Sequence, residues 1–429
     1  MLYNKRKNKK EVFFLDLVSL LVLVAAIVLA FVCKVNTGLV AMAAALIIGR
    51  CAGVADKALL KSFDSNLFLM LLGVMYLFCI AQENKTLDVL AKKAISLCKG
   101  NVKLFPIIMF VVAAVLSAIG PGLISVTALV AAISVALAKQ SGIDPIKLLP
   151  FGTLGSFAGG LSPITPSGLV AISKAEEAGI LGLGVPLMVK MAITCTAFAV
   201  ILYFFVFKWH KEKSCQNATE QSEKVPAFSG KQWLTLAGIV VVAALATFFN
   251  INVGLSSFAV AVVLTVCKAA DESVVMKKVP WNTLIMITGV GILISLVTDL
   301  GGIDLLRTGL TKIMGAKTAS AIMTVLAGVM SWFSSASGVV MPTLIPTVPG
   351  ITETLTGASA MDITVGLCIG SHMAALSPLS SCGGLMLSAY SSSEGVTAEE
   401  RNRTFVKLFI MSATGVLFAA VLALLGLYR

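Results

Sequence analysis

Apolar runs of membrane-crossing length alternate with short polar turns along most of the chain. A helix that crosses a bilayer needs about 20 predominantly apolar residues. Three such runs open the first half of the chain, and three more open the second half. They predict spanning helices near residues 16–33, 38–54, 66–82, 232–248, 252–268 and 281–297. The pattern therefore predicts an all-α polytopic membrane protein.

An amphipathic segment follows the third predicted span, over residues 84–99. Its apolar positions, such as Leu87 and Leu90, recur at helical spacing, while Lys92 and Lys93 occupy the other side. A helix with one apolar and one basic face is typical of a segment that lies in the membrane interface. We therefore expect an interfacial helix over 84–99 and not a further crossing.

The next apolar stretch, residues 104–138, is interrupted near its middle by the sequence Gly-Pro-Gly at 120–122. It is too short for two full crossings and a turn, and proline and glycine both oppose a continuous helix. Two half-helices that enter and leave the membrane from one side fit this length better than one span. A counterpart over residues 319–347 has a polar tip at 333–338. Both segments are predicted to be re-entrant hairpins.

A second kind of interruption lies inside the apolar stretch that follows each hairpin. Residues 158–168 read AGGLSPITPSG, which predicts a broken span over 148–172. A similar Ser-Pro break predicts another over 362–387, and closing spans are predicted near 186–207 and 404–427. Non-helical backbone at membrane depth is tolerated where it is buried in protein or lines a cavity. The two breaks are therefore candidate binding regions.

The chain contains the same plan twice. Residues about 216 positions apart match along most of its length: Gly38 with Gly254, Asn66 with Asn282, and Leu161-Ser162-Pro163 with Leu376-Ser377-Pro378. We infer a first repeat over 1–207, a polar linker over 208–231 and a second repeat over 232–429. Each repeat crosses the membrane five times, an odd number, so the second must insert upside down. Two inverted repeats of five spans, each with a hairpin and a broken helix, follow the plan of secondary transporters.

Composition agrees with a membrane location. The chain is 58% hydrophobic and 13% charged, whereas roughly a quarter of residues are charged in soluble domains. The net charge of +12 predicts contact with anionic lipid headgroups and not with nucleic acid, because the sequence contains no soluble basic domain. Basic residues in the N-terminal tail favour a cytoplasmic N-terminus, whereas the lysines of 208–231 favour the opposite orientation. We expect an integral plasma-membrane protein, in a bacterial inner membrane.

The breaks and hairpin tips supply hydroxyls, N–H groups and carbonyls to one central region. Helix N-termini suit a carboxylate because their N–H groups carry partial positive charge. Carbonyls that unwinding leaves free suit Na⁺. The predicted substrate residues are Ser162, Pro163, Thr165, Ser167, Ser377, Pro378, Ser380, Ser381, Gly122, Thr127, Ser337, Gly338, Thr343 and His372. The candidate Na⁺ ligands are Gly160, Ala375, Gly120 and Ser335.

Charge indicates which kind of transport this region favours. None of the 21 acidic residues lies in the cores of the predicted breaks and hairpins, and neither does any lysine or arginine. A cation/proton antiporter normally needs a buried carboxylate. A neutral site holds an anion when co-bound cations neutralise it, so we predict Na⁺-coupled anion symport, with H⁺ as the alternative coupling ion.

Other functions stay open at this point. They are a metalloid or cation/proton antiporter, a non-coupled anion channel, and a membrane scaffold that carries no flux. The sequence contains no phosphate loop, zinc-ligand cluster or catalytic triad. We therefore expect neither enzyme activity nor a cofactor other than a coupling ion.

Several of these features also have a purely structural interpretation. A single Gly-Pro kink in a membrane helix is usually structural, and only its repetition in both halves favours a site. Ser117 and Ser156 are equally well explained by hydrogen bonds to a carbonyl of their own helix. His372, which replaces Phe157 of the first half, fits the pattern of a buried histidine with a structural partner.

Two motifs resemble known transporters. Residues 280–284, PWNTL, open the third span of the second half in a way that is similar to the ion-transporter superfamily. That superfamily includes the divalent anion/sodium symporters and the arsenite efflux pumps. Residues 151–168, FGTLGSFAGGLSPITPSG, most resemble the Ser-Pro signature of the malonate/dicarboxylate carriers. The hairpin tips differ from those of the symporters, which carry Ser-Asn-Thr.

This resemblance implies a function and a mechanism. The substrate would be a small organic anion, a C3–C4 dicarboxylate, carried together with Na⁺. The spans before each interfacial helix would form a scaffold and the interface of a homodimer. The hairpins and broken spans would move against that scaffold in an elevator-like manner.

Overall fold

The computed structural model describes residues 9–96, 102–140, 143–207, 227–249, 251–391 and 396–429. Over these residues the regular elements are helices, and no strand occurs. The helices of the first half are α1 (Lys9–Cys33), α2 (Thr37–Cys51), α3 (Asp56–Lys61), α4 (Ser65–Glu83), α5 (Thr86–Ser96), α6 (Phe105–Ala118), α7 (Gly122–Gln140), α8 (Leu149–Gly160), α9 (Pro166–Glu177) and α10 (Gly184–Leu202).

The second half has a matching series. Its helices are α11 (Gly230–Phe249), α12 (Val253–Val266), α13 (Glu272–Lys278), α14 (Trp281–Asp299), α15 (Gly302–Thr311), α16 (Ala319–Phe333), α17 (Met341–Leu344), α18 (Val348–Thr354), α19 (Ala360–Met373), α20 (Ser381–Ser391) and α21 (Ala398–Leu424). Single turns of π- and 3₁₀-helix, Ala336–Val340 and Ile345–Thr347, make α17 and α18 parts of one continuous arm.

Among the described residues, six helices are long and apolar enough to cross a membrane: Leu15–Cys33, Ser65–Glu83, Gly184–Phe205, Trp281–Asp299, Ala360–Ser391 and Ala398–Leu424. The predicted all-α polytopic membrane fold is therefore confirmed. Two predicted spans are shorter than expected, with apolar helices over Thr37–Cys51 and Val253–Val266. Left-handed residues follow both of these helices, Gly53 after α2 and Lys268 after α12, and such residues commonly end helices.

The other predicted elements fall on the following parts of the structure. The interfacial helix predicted over 84–99 is α5 as far as Ser96, and residues 97–99 lie outside the described residues. The predicted linker lies outside them as well, apart from residues 227–231. The second hairpin, predicted over 319–347, consists of Ala319–Phe333 and Ala336–Thr354, bent by 118°. Its second arm is thus longer than predicted.

The two halves exchange helices in a reciprocal way. Helix α2 packs against α14, and α12 packs against α4. Asn36 caps α2, and its amide also donates to the carbonyl oxygen of Asn282 at 2.7 Å. Asn252 caps α12, and its amide lies 3.5 Å from the side-chain oxygen of Asn66. Both partners of the first pair are 216 positions from their counterparts in the second. We call α1–α4 and α11–α14 the scaffold helices.

Each hairpin packs tightly on the broken span of its own half. Helix α6 lies along α8, and α16 lies along α19. A Cβ built on Gly155 would lie 2.1 Å from the carbonyl oxygen of Phe110, and one built on Gly370 would lie 2.1 Å from that of Thr324. Small residues allow such close backbone approach between membrane helices. We call the hairpins and broken spans, α6–α9 and α16–α20, the core bundle.

Candidate functional site

The first broken span stops as a helix at Gly160 and starts again at Pro166. Thr165 caps the second helix, because its hydroxyl oxygen accepts a hydrogen bond from the N–H of Gly168 at 3.2 Å. The same hydroxyl lies 2.7 Å from the carbonyl oxygen of Gly160 and 2.8 Å from that of Ser162. One side chain therefore connects the carbonyl end of α8 to the N–H end of α9.

The second broken span repeats this arrangement. The Ser380 hydroxyl lies 2.6 Å from the carbonyl oxygen of Ala375 and 2.7 Å from that of Ser377. It also accepts a hydrogen bond from the N–H of Gly383 at 3.2 Å. Ser380 and its partners each lie 215 positions after Thr165 and its partners. The two breaks therefore have the same local structure. In each, one hydroxyl bridges the carbonyl end of the first helix and the N–H end of the next.

These hydroxyls change the surroundings of two carbonyls that are predicted to hold Na⁺. The prediction treats the carbonyls of Gly160 and Ala375 as free, whereas Thr165 and Ser380 lie at hydrogen-bond distance from them. That premise is wrong, because the cap residue of the following helix reaches back across the break. A carbonyl oxygen has two lone pairs. A Na⁺ at either position would therefore share the carbonyl with the cap hydroxyl.

The tip of the first hairpin lies between α4 and α9. Gly120 has φ of +133° and Gly122 has φ of +79°, a region of backbone conformation that favours glycine. A Cβ on Gly120 would lie 2.0 Å from the ring of Phe78 in α4. A Cβ on Gly122 would lie 3.3 Å from Cδ of Pro166. Glycine at both positions therefore allows α7 to begin directly beside the start of α9.

The tip of the second hairpin meets the other long scaffold helix. Its backbone is extended at Ser334 and turns at Ser335, whose hydroxyl accepts a hydrogen bond from the N–H of Gly338 at 3.1 Å. A Cβ on Gly338 would lie 2.4 Å from the terminal methyl of Met286 in α14. The two tips thus face α4 and α14, which are equivalent helices of the two halves.

Helix α7 connects the first hairpin to both broken spans. The Thr127 hydroxyl lies 2.7 Å from the hydroxyl of Ser156 in α8, which donates to the carbonyl of Thr153 at 2.7 Å. Since a serine hydroxyl has one proton, Thr127 is the donor to Ser156. Thr127 also contacts the thiol of Cys382 in α20. The predicted residue Thr127 therefore lies at the junction of the two halves of the core bundle.

A cavity of about 150 Å³ lies where the core bundle meets the scaffold. Three of the predicted substrate residues line it: Gly122, Ser167 and Ser337. Helices α7 and α9 both begin at its wall, so two helix N-termini face the same space. Scaffold helices α4 and α14 form the opposite wall. The volume is below the roughly 300–1,000 Å³ of pockets for drug-sized ligands, which suits a small ligand.

A larger cleft of about 460 Å³ adjoins this cavity. The two spaces share four lining residues: Gln82, Leu87, Ser125 and Lys278. The cleft runs between the end of α4, the start of α5 and the side of α7.

Lys278 is a functional candidate that the sequence analysis missed. Of the described residues that line the cavity, it is the charged one. Its ammonium pairs with the carboxylate of Glu83 at the end of α4. The breaks and hairpins contribute no charge to the cavity wall, as predicted, but the scaffold does. The available signal was a Lys-Lys pair at residues 277–278, separated from the PWNTL motif by Val279 alone.

The remaining predicted residues lie within the breaks and the core. Ser377 accepts a hydrogen bond from the N–H of Leu379 at 3.2 Å, and Thr343 donates to the carbonyl of Val339 at 2.7 Å. Ser162 is buried beside Pro163, whereas Ser381 is exposed at the start of α20, after Pro378. Their substrate contacts stay predictions.

His372, Ser117 and Ser156 differ in whether their polar side-chain atoms have hydrogen-bond partners. Nδ1 of His372 lies 3.0 Å from the carbonyl oxygen of Cys368, one turn earlier in α19. Ser156 bonds a carbonyl of its own helix, which is its structural interpretation. Within the described part of the chain, Nε2 of His372 and the hydroxyl of Ser117 have no hydrogen-bond partner, and no group of three metal-binding side chains occurs.

The described helices are those of a polytopic membrane protein, and a small cavity lies where its discontinuous helices and hairpin tips meet. Residues 14–160 match the family model described as the N-terminus of the dicarboxylate carrier protein MatC. This match confirms the resemblance to the dicarboxylate carriers that was seen in the sequence. The match ends with α8, so it includes the first hairpin tip. A comparison with curated protein sequences gave no match.

Proposed function

We propose that the protein is a secondary active transporter that carries a small organic anion, a C3–C4 dicarboxylate, together with Na⁺. The observation that carries this proposal is the cavity at which α7 and α9 both begin. Helix N-termini are anion-binding sites because they present unpaired N–H groups and partial positive charge. The match to the MatC N-terminus includes α7 and α8 and indicates the dicarboxylate class.

The cavity offers a defined set of donors to a carboxylate. The first N–H groups of α7 and α9 would bind one carboxylate group of the substrate, together with the hydroxyls of Ser167 and Ser337. All of these groups lie on the core bundle, so the bundle would carry the substrate as it moves. Ser167 lines the cavity and is otherwise enclosed by protein, with an exposed fraction of 8%.

Na⁺ coupling follows from the charge of the site. Lys278, the charged residue among the described residues of the cavity wall, pairs with Glu83 of the adjoining cleft, so the pair is neutral overall. A dicarboxylate that enters this space brings two negative charges, which co-bound cations would neutralise. The cap-shared carbonyls of Gly160 and Ala375 and the tip residues Gly120 and Ser335 are the candidate Na⁺ ligands.

The inverted-repeat plan and the elevator-like motion belong to the same proposal. The reciprocal contacts of Asn36 with Asn282 and of Asn252 with Asn66 support a pseudo-twofold relation between the halves. The cavity lies at the boundary between core bundle and scaffold, where a sliding bundle would take its substrate from one side to the other. We further propose that the scaffold forms a homodimer in a bacterial inner membrane.

Uptake by purified protein in proteoliposomes tests this function. We expect saturable uptake of labelled malonate or succinate with an inward Na⁺ gradient, and little uptake when choline replaces Na⁺. Flux that is driven by a pH gradient and is indifferent to dicarboxylates would instead support an antiporter. Conductance without saturation would support a channel, and no flux would support a scaffold.

A serine substitution tests the site itself. Ser167→Ala should raise KM about tenfold or more, because it removes a hydrogen bond to a charged group, worth roughly 1.5–3 kcal/mol. Ser173→Ala is the matched control, since Ser173 lies in the same helix and its hydroxyl is 3.4 Å from Glu177. Equal KM values for the two variants would contradict the assignment of Ser167.

A further inference from the structure

Lys278 holds a distinct position at the boundary between core bundle and scaffold. It ends the short helix α13 and lines both the small cavity and the cleft that adjoins it. Its ammonium pairs with Glu83, and 41% of the Lys278 side chain and 25% of the Glu83 side chain are exposed. A partly exposed ion pair of this kind contributes little to stability. The ammonium can therefore change partners at low cost.

The other half of the protein shows that the fold does not require this charge. The positions 216 residues from Lys278 and Cys79, both of which line the cavity, are Ser62 and Ser295. The hydroxyl of Ser295 donates to that of Ser62 at 3.2 Å. The counterpart of Glu83 is Asp299, so the equivalent pair of positions keeps an acidic residue but has a neutral serine in place of the lysine. The scaffold tolerates serine at this place. The lysine is thus present in one half and replaced by serine at the equivalent position of the other half.

The geometry of the cavity separates two positive regions. The N-termini of α7 and α9 lie on the core bundle, and Lys278 lies on the scaffold across the same space. A monocarboxylate would satisfy only one of these regions. A dicarboxylate would place one carboxylate at the helix N-termini and the other on the ammonium, in place of Glu83.

We propose that Lys278 is the specificity-determining residue that selects dicarboxylates over monocarboxylates, by exchanging the Glu83 carboxylate for the second carboxylate of the substrate. This inference rests on the proposed function. It assigns opposite roles to the two members of the ion pair. Lys278 attracts the substrate, and Glu83 competes with it.

Substitutions of the two partners separate this role from a structural one. Lys278→Gln should raise the KM for malonate or succinate at least tenfold and leave binding of propionate or butyrate unchanged. Lys278→Arg should restore most of the discrimination because it keeps the charge. Glu83→Gln should lower the KM for the dicarboxylate because it removes the competitor. If the ion pair only held α13 against α4, Lys278→Gln and Glu83→Gln would change the KM for the dicarboxylate in the same direction.

The experiment uses full-length protein in detergent and in proteoliposomes. Thermal unfolding midpoints are measured with malonate, succinate, propionate and butyrate for the wild type, the three variants and Lys277→Gln. Lys277 is the matched control, an exposed lysine of the same helix that does not line the cavity. Uptake of labelled succinate, with the other acids as competitors, gives the KM values.

The outcomes are distinct. Loss of dicarboxylate preference in Lys278→Gln, with a gain of affinity in Glu83→Gln, supports the inference. A wild-type response to dicarboxylates with unchanged preference in Lys278→Gln overturns the inference but leaves the proposed function intact. No response of the wild type to any acid, by midpoint or uptake, overturns the proposed function and this inference with it.

Discussion

Gly38 of α2 and Gly289 of α14 meet backbone to backbone, and a Cβ built on Gly289 would lie 2.3 Å from the carbonyl oxygen of Gly38. The equivalent pair in the other half is Gly254 with Gly73, where a Cβ on Gly73 would lie 2.3 Å from the carbonyl oxygen of Gly254. Each contact joins a short helix of one half to a long helix of the other. The scaffold is thus held together by two matching glycine contacts.

Alanine at these glycines should destabilise the scaffold. Gly289→Ala and Gly73→Ala force two backbones apart, and overpacking of this kind costs about 1–3 kcal/mol. We expect a lower thermal unfolding midpoint for both. Gly291→Ala is the matched control in α14, because no atom lies within 4 Å of a Cβ at that position. A midpoint for Gly289→Ala equal to that of Gly291→Ala would contradict the close contact.

The cap hydroxyls of the two breaks should be interchangeable. Thr165→Val removes the hydroxyl that connects Gly160 to Gly168 and should cost about 1 kcal/mol, the usual value of an N-cap hydroxyl. Thr165→Ser and Ser380→Thr keep the hydroxyl and should behave like the wild type in both stability and uptake. Thermal midpoints and Na⁺-driven uptake check this. Full activity and stability of Thr165→Val would show that the cap is dispensable.

An ion pair ties the core bundle to the scaffold away from the cavity. The ammonium of Lys174 in α9 lies 3.1 Å from the carboxylate of Asp64, which precedes α4, and also pairs with Glu177. The exposed fractions of the Lys174 and Asp64 side chains are 11% and 23%. We expect Asp64→Asn to cost about 1–2 kcal/mol, below the roughly 3–5 kcal/mol of a fully buried pair, because water reaches both groups.

Asparagine is chosen at this position because it still caps α4, so the substitution isolates the charge. Asp56→Asn is the matched control. It breaks the Arg50–Asp56 pair, whose side chains are 64% and 52% exposed, and should change stability by less than about 0.5 kcal/mol. Equal losses of stability in the two variants would show that the Lys174–Asp64 pair stabilises the protein no more than the exposed Arg50–Asp56 pair does.

The same pair predicts a pH dependence. Burial raises the pKa of Asp64, but the N–H of Leu67 and the ammonium of Lys174 lower it by more, so the pKa lies below its usual value. Stabilisation by a carboxylate with a lowered pKa is complete above the ordinary value of about 4 and is lost as pH falls through the lowered one. Midpoints measured from pH 7 down to pH 3 should fall for the wild type. Asp64→Asn should lack the part of this fall that comes from Asp64. Parallel curves of midpoint against pH for the wild type and the variant would contradict the prediction.

Gly122 should affect transport more than stability. Alanine at its φ of +79° costs about 1–2 kcal/mol, and the new methyl would also enter the cavity wall beside Pro166. Gly179→Ala carries the same backbone strain at φ +77°, with no atom within 4 Å of its Cβ. We expect similar midpoints for the two variants but loss of uptake for Gly122→Ala alone. Normal uptake by Gly122→Ala would place the substrate elsewhere.

Much of the architecture could be predicted from the residues alone. Runs of apolar residues predict helices that cross or enter the membrane, because the bilayer admits little else. The Gly-Pro-Gly tip at 120–122 and the Ser-Pro break at 162–163 interrupt those helices for reasons that lie within a few residues: proline lacks an N–H, and glycine tolerates positive φ. The internal match at about 216 positions likewise requires only the sequence. These features are local or repetitive, so neighbours in the chain determine them.

The tertiary structure decided how the polar groups are used. Thr165 and Ser380 carry hydroxyls that sequence reasoning assigns to a substrate, but the fold turns them onto carbonyls across each break. Glu83 and Lys278 are 195 positions apart, and only the exchange of helices between the halves brings them together. A side chain's partner depends on which distant segment packs beside it. That information lies in the packing of the whole chain and not in any short stretch of it.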